Sequence, residues 1–313
     1  MHKFPNDVNI RVSFHRLRKE FQKTLKETRH KFCNAMIQKL DDLHENNPKM
    51  FWETIDKLKG KTIKQNPVSI SDWHKYMSDL YESNHSDIPY FDLTSHDLSE
   101  VGPLDFPFNC AEVRKGILKL KNNKQPGIDL VPNELMKYDI NKLLLPIVNL
   151  FNRLLTAGKF PMCWTISCTT FIHKNGDINN CDNYRCLGLT SCFGKLFTSL
   201  LQNRLHRFLE DENLYNRFQA GFRPDYRTTD HIFTMKTILN KYLYKNKKQV
   251  FACFVDFSKA FDSLSHEALF QKLYTLGIKG IFFHLIRNMY THAKFVVKKD
   301  HTITDPSILG KGV

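Results

Sequence analysis

The stretch Val250-Phe251-Ala252-Cys253-Phe254-Val255-Asp256 constrains this chain more than any other. Six apolar residues in a row, mostly β-branched, aromatic or thiol-bearing, predict a short strand covered on both faces, and such a strand needs a sheet with layers on either side. Asp256 then stands where the strand leaves the core. A carboxylate fixed at a rigid strand end suits a hard, oxygen-liganded cation such as magnesium held against a phosphate; a carboxylate satisfied by a neighbouring amide is the plainer alternative. Asp262, which follows Ala260-Phe261, is equally suited to capping the next helix.

Charge narrows the classes of partner. Lys and Arg outnumber Asp and Glu by 46 to 32, for a formal charge of +14 and a pI near 9.3, which favours a polyanion although a merely basic, solvated surface has the same composition. With 313 residues and 42% hydrophobic content the chain is globular, forming one large domain or two smaller ones. The densest cysteine group, Cys163, Cys168, Cys181, Cys186 and Cys192, has no pair spaced by two residues and no flanking histidine pair, so reduced thiols are expected rather than zinc. The first thirty residues are charged throughout and no apolar run reaches bilayer length. An intracellular protein, nuclear or cytoplasmic, is expected.

Along the chain, Phe14, Leu17, Phe21 and Leu25, then Phe32, Met36, Leu40 and Leu43, recur at helical spacing among basic residues, predicting a long amphipathic helix or helical pair from Ile10 to about Glu45. Its basic face is suited to phosphates or simply to water. A short helix carrying Phe51, Trp52, Ile55 and Leu58 and ended by Gly60 follows, and another begins at Ser71 with Trp73, Tyr76, Met77 and Leu80 inward. The domain reading is a basic helical region over 1–83, a linker over 84–106 and a main domain over 107–313, because residues about 82–106 lose periodicity and collect Ser, Asn, Asp and Pro. Asn109 with Glu112 starts the next helix; further helices are expected near 132–137, 143–156, 191–209, 232–239, 269–276 and 281–289. Thr228 or Thr229 is placed to cap the helix carrying Ile232. Strands are expected at 169–174, 250–255, near Phe295-Val297 and near Thr302-Thr304. Mixed strands and helices without strict alternation imply an α+β fold.

Several short motifs then fall into one order. Phe254-Val255-Asp256-Phe257-Ser258-Lys259-Ala260-Phe261-Asp262 is preceded by Gln219-Ala220-Gly221-Phe222-Arg223 with Arg227-Thr228-Thr229, and by His173-Lys174-Asn175-Gly176-Asp177 with Asn183-Tyr184-Arg185. Upstream stand Lys121 to Asp129 with Gln125-Pro126-Gly127, then Pro132-Asn133-Glu134-Leu135, and Gly158-Lys159-Phe160-Pro161 with Trp164. Together these resemble the reverse transcriptase of non-LTR, LINE-type retrotransposons, roughly from Asn109 to Val313. The resemblance implies right-hand polymerase fingers and a partial palm that copy an RNA template from a DNA primer with deoxynucleoside triphosphates. It implies two Mg2+ ions about 4 Å apart, with Asp256 as the catalytic metal-binding aspartate and the backbone carbonyl of Phe257 beside it. It further places Phe261 under the incoming sugar, Lys174 and Arg185 on the triphosphate, and Arg223 and Arg227 near the template. Read without the resemblance, Phe261 is core packing and the four cations are surface charges.

The chain departs from that pattern at Cys186-Leu187-Gly188-Leu189, where the family has Pro or Gly followed by Ile and Ser or Thr, and at Ala220, where an aromatic is common. Neither the Arg-Gln-Gly motif nor the Tyr-x-Asp-Asp hairpin that the resemblance implies after Val313 occurs in these residues, and Asp41-Asp42 lies on a polar helix face. One carboxylate does not hold two magnesium ions against their hydration. The expectation is a fragment that does not polymerise by itself; the alternative is a non-catalytic, basic nucleic-acid-binding protein of the same fold. A third alternative is that the truncated palm does not fold stably at all, because the 250–255 strand lacks the pairing partners that the missing hairpin provides.

Overall fold

The computed structural model describes residues 8–47, 50–52, 54–55, 66–82, 102–300 and 302–312 and divides into two compact units, Met1–Asn66 and Pro67–Val313. In the first, Val8–Asn46 is one helix of 39 residues, about 58 Å long at 1.5 Å per residue. No glycine or proline interrupts it. Its apolar stripe lies open, with Leu17 60% and Phe21 66% exposed. Of the short helix expected next, Phe51, Trp52 and Ile55 are described and helical, while Leu58 and the stop at Gly60 lie outside the described residues.

The second unit has two cores. The larger is helical: Cys110–Lys119, Ile140–Ala157, Cys192–Asp211, His266–Thr275 and Gly280–Thr291 bury Phe151, Phe197, Phe282 and Phe283 among them. The cap expected at Asn109 is present, while two other helices start one position earlier than expected. The Asn109 side chain accepts from the Glu112 N–H at 2.8 Å, and Ser69 accepts from the Asp72 N–H at 3.1 Å to start the helix Ile70–Tyr81. Thr228–Leu239 is capped by Arg227 rather than by a threonine: the Arg227 N–H donates to the Asp230 carboxylate at 2.7 Å, and an acidic third residue outweighs a hydroxyl one position late.

The smaller core lies between the helix Ile70–Tyr81 and a five-stranded sheet. Strand β1, Ile166–His173, runs antiparallel to β2, Tyr184–Leu189, and parallel to β3, Lys294–Lys299. The short β4, Thr302–Ile303, and β5, Ser307–Ile308, both pair antiparallel with β3. Trp73, fully buried, stacks on Phe171 with centroids 3.6 Å apart and meets Tyr184 edge-on. The helix Ile70–Tyr81, grouped by sequence with the amino-terminal region, therefore packs with the sheet. Residues 83–101 of the expected linker lie outside the described residues; beyond them, Leu104 is buried, and Asp105 accepts from the Phe282 N–H at 2.7 Å at the start of the helix Gly280–Thr291. The mixed sheet with segregated helices agrees with the α+β expectation at this level.

Two strand expectations need correction. The stretch 250–257 forms no strand and is open to solvent, with Phe251 90% and Phe254 82% exposed. A strand is defined by the neighbour that takes its N–H and C=O groups; both sides of β1 are filled by β2 and β3, the far side of β3 takes β4 and β5, and residues 250–257 do not pair with the outer edge of β2. Apolar composition alone did not supply that neighbour. Conversely β2, which is not among the expected strands and whose Cys186-Leu187-Gly188-Leu189 stands as a departure, pairs without interruption from His173↔Tyr184 to Cys168↔Leu189.

Candidate functional site

The β1–β2 hairpin builds one half of the site. Successive side chains on a strand alternate between faces. Phe171, Tyr184 and Cys186 turn toward the helix Ile70–Tyr81, so Ile172 and its register partner Arg185 occupy the opposite, exposed face. Lys174 follows directly after β1; its side chain is exposed and its N–H donates to the Asn183 carbonyl at 2.8 Å, which extends the ladder by one bond. In the connecting turn Gly176 has φ +83°, and the Asn183 side chain donates to the Asp177 carbonyl at 2.9 Å. Lys174 and Arg185 are thus both presented on one face at the turn end of one hairpin.

The segment carrying Asp256 forms the other half. Asp256 and Phe257 are exposed, and Asp256 makes no hydrogen bond or ion pair among the described residues. The segment is fastened further on. Lys259 Nζ reaches Asp182 Oδ1 at 2.9 Å and Tyr76 Oη at 3.3 Å, and the Tyr76 hydroxyl donates to the same Asp182 oxygen at 2.9 Å. Lys259 and then Tyr76 hold the Asp182 carboxyl below the usual carboxylate range, with Lys174 adding to the effect. Burial, and next the bond to Asp182, pushes the Tyr76 phenol up to about 12. The Tyr81 hydroxyl donates to Asp262 Oδ1 at 3.0 Å; burial first and the Asp262 charge second raise its phenol further. Asp262 is therefore held by a tyrosine rather than capping His266–Thr275, whose cap is Ser265.

Phe261 is 58% exposed and packs edge-on against Phe222 at 6.0 Å, so the loop Gly221-Phe222 and the Asp256 segment touch. Arg223 forks onto Glu210 with bonds of 2.9 and 2.7 Å, and its guanidinium lies over Tyr215 and Tyr226. That pairing holds the Glu210 carboxyl below its ordinary range. Arg227 is exposed at the helix start. Gly127 lies so close to the main chain of Thr190 and Ser191 that a Cβ would sit 2.6 Å from the Thr190 carbonyl carbon; the Gln125-Pro126-Gly127 turn thereby docks at the start of the helix Cys192–Asp211. Sequence reading placed Tyr76 inward with no part in the site and missed Tyr81 and Asp182. Asp182 adjoins the quoted Asn183-Tyr184-Arg185, and Tyr81 continues the Trp73, Met77 spacing of four.

As a metal site the described residues do not suffice. No group of three or more His, Cys, Asp or Glu side chains among them is arranged to hold an ion, and Asp256 is a single exposed carboxylate, whereas Mg2+ requires several oxygen donors before it gives up water. No helix among the described residues is long and apolar enough to cross a membrane.

Residues 172–307, which hold the hairpin, the Arg223 loop, the Asp256 segment and β3, match the family described as reverse transcriptase (RNA-dependent DNA polymerase). Over those residues the chain is similar to reverse transcriptases. It is similar to a protein named probable RNA-directed DNA polymerase from transposon BS of Drosophila melanogaster, 23% identical over 97% of this chain and 35% of that protein. It is also similar to the RNA-directed DNA polymerase from mobile element jockey of Drosophila funebris, 26% identical over 98% of this chain and 35% of that one. A third relative, the Pol polyprotein from type-2 retrotransposable element R2DM of Drosophila melanogaster, is 25% identical over 61% of this chain. The relatives it matches are thus polymerases and a Pol polyprotein of transposons and retrotransposable elements, and the chain spans about a third of the length of the first two.

Proposed function

We propose that these residues supply the fingers and first palm segment of an RNA-directed DNA polymerase. Lys174 and Arg185 take the triphosphate of an incoming deoxynucleotide, a flexible ammonium and a planar guanidinium suiting phosphate oxygens. Asp256, with the carbonyl of Phe257, contributes one part of a magnesium site whose other donors the described residues do not provide, and Phe261 lies against the sugar. Arg227 reaches the RNA template, while Arg223, committed to Glu210, shapes the loop from which the template is approached. The supporting observation is the 2.9 Å contact from Lys259 to Asp182, which ties the Asp256 segment to the hairpin presenting Lys174 and Arg185.

Residues 1–313 acting alone bind nucleic acid without polymerising in this reading, since one carboxylate does not assemble two metal ions. The second reading, a non-catalytic binder, is favoured by the lone exposure of Asp256 and by the charge of +14. Primer extension on an RNA template with magnesium tests both. No DNA product is expected, together with RNA binding whose logarithm falls steeply with the logarithm of salt, by roughly 0.7 per phosphate contacted. Magnesium-dependent synthesis overturns the inactivity, and absence of binding at low salt overturns the nucleic-acid reading.

A further inference from the structure

The helix Ile70–Tyr81 has no part in the chemistry so far assigned, yet the two charged residues on either side of Ala260-Phe261 both end on it. Lys259 Nζ meets Tyr76 Oη at 3.3 Å over a shared Asp182 oxygen, and Asp262 Oδ1 accepts a hydrogen bond from the Tyr81 hydroxyl at 3.0 Å. The helix itself is anchored, since Trp73 and Met77 are fully buried against the sheet. The carbonyl of Tyr81 also accepts the Gly310 N–H at 3.1 Å. Gly312, at φ +88°, fits a notch in which a Cβ would lie 3.0 Å from Tyr81 Cε1 and 3.1 Å from the Asp262 carbonyl oxygen. Residues 250–257 have no ladder bonds, so the place of this segment depends on whatever grips it further along.

We propose that the helix Ile70–Tyr81 is the positioning brace of the Asp256 segment, with Tyr76 and Tyr81 fixing Lys259 and Asp262 and thereby the stance of Asp256 and Phe261 beside the Lys174 and Arg185 hairpin. This rests on the reading of Asp256 and Phe261 given above for its functional meaning, although the brace is a property of residues 1–313 alone. The Tyr81–Asp262 bond is partly buried and so stronger than an exposed one, whereas Tyr76, Asp182 and Lys259 form an exposed three-way contact that holds by joining two bonds on one carboxylate oxygen.

The test uses residues 1–313 and NMR. The Ser263 amide bonds the Lys259 carbonyl at 3.0 Å, the Gly312 amide bonds the Leu264 carbonyl at 2.7 Å, and the Phe222 and Phe261 rings are in contact. In the double variant Tyr76→Phe with Tyr81→Phe, and separately in Lys259→Met, exchange at Ser263 and Gly312 is expected to speed up about tenfold, the ring-to-ring Overhauser contact to vanish, and the β1–β3 ladder amides to stay as they were. Lys259→Arg, which keeps the charge opposite Asp182, restores the Ser263 protection. Unchanged rates at Ser263 and Gly312, acceleration shared equally by the ladder, or Lys259→Arg behaving as Lys259→Met each overturn the brace. Neither nucleotide nor synthesis is read out, so the brace and the polymerase reading fail or stand separately.

Discussion

At position 127 a single methyl group would run into the peptide unit that joins Thr190 to Ser191, and main chain yields less readily than a side-chain tip. Gly127→Ala is therefore expected to destabilise the fold by about 1–3 kcal/mol in chemical denaturation, the usual range for overpacking. Gly221→Ala, where the only near atom is the amide tip of Gln219 at 3.4 Å, serves as the control with little expected change. Tyr76 gives a second residue-scale prediction. Its folded pKa of about 12 lies above the ordinary value of 10.0, so the protonated phenol contributes stability that is whole below about pH 10 and is lost as the pH rises through about 12. Removing Tyr76 by substitution with Phe should delete a phenolate appearing near pH 12 from an absorbance titration; loss of one titrating near 10 instead contradicts the contact with Asp182.

Among the elements, the hairpin and the 250–257 stretch show how far pattern reaches. Helices were legible because Phe197, Leu200 and Leu201 recur at the period of a helix and because Asn109 and Glu112 mark a start. β1 and β3 were legible from β-branched and aromatic runs. β2 was not, since Tyr184-Arg185-Cys186-Leu187-Gly188-Leu189 owes its strand to pairing with β1 rather than to its own composition. The reverse holds for 250–257, which has the composition and lacks the partner. Of the site, the order of the motifs was readable, while Tyr76, Tyr81 and Asp182 were not, because their contacts with Lys259 and Asp262 join residues 77 to 183 positions apart. Amide exchange separates the two elements directly. Amides from Phe251 to Phe257 are expected to exchange without appreciable protection and those of the β1–β2 ladder to be protected; protection across 251–255 equal to that of β1 contradicts the irregular conformation.

At the scale of the whole molecule, the charge of +14 and the basic helix Val8–Asn46 suit the polyanionic partner proposed above, and the chain matches about a third of the length of each of two transposon polymerases. The account turns on Lys174 and Arg185 having been set out together for a triphosphate. The most direct measurement is a titration of residues 1–313 with a deoxynucleoside triphosphate, comparing the unaltered chain with Lys174→Ala and Arg185→Ala. Each substitution should weaken binding about tenfold or more, in keeping with ~1.5–3 kcal/mol for a hydrogen bond to a charged group, while Lys115→Ala, far along the helical core, should leave it unchanged. Triphosphate affinity that is the same in all four proteins contradicts the account.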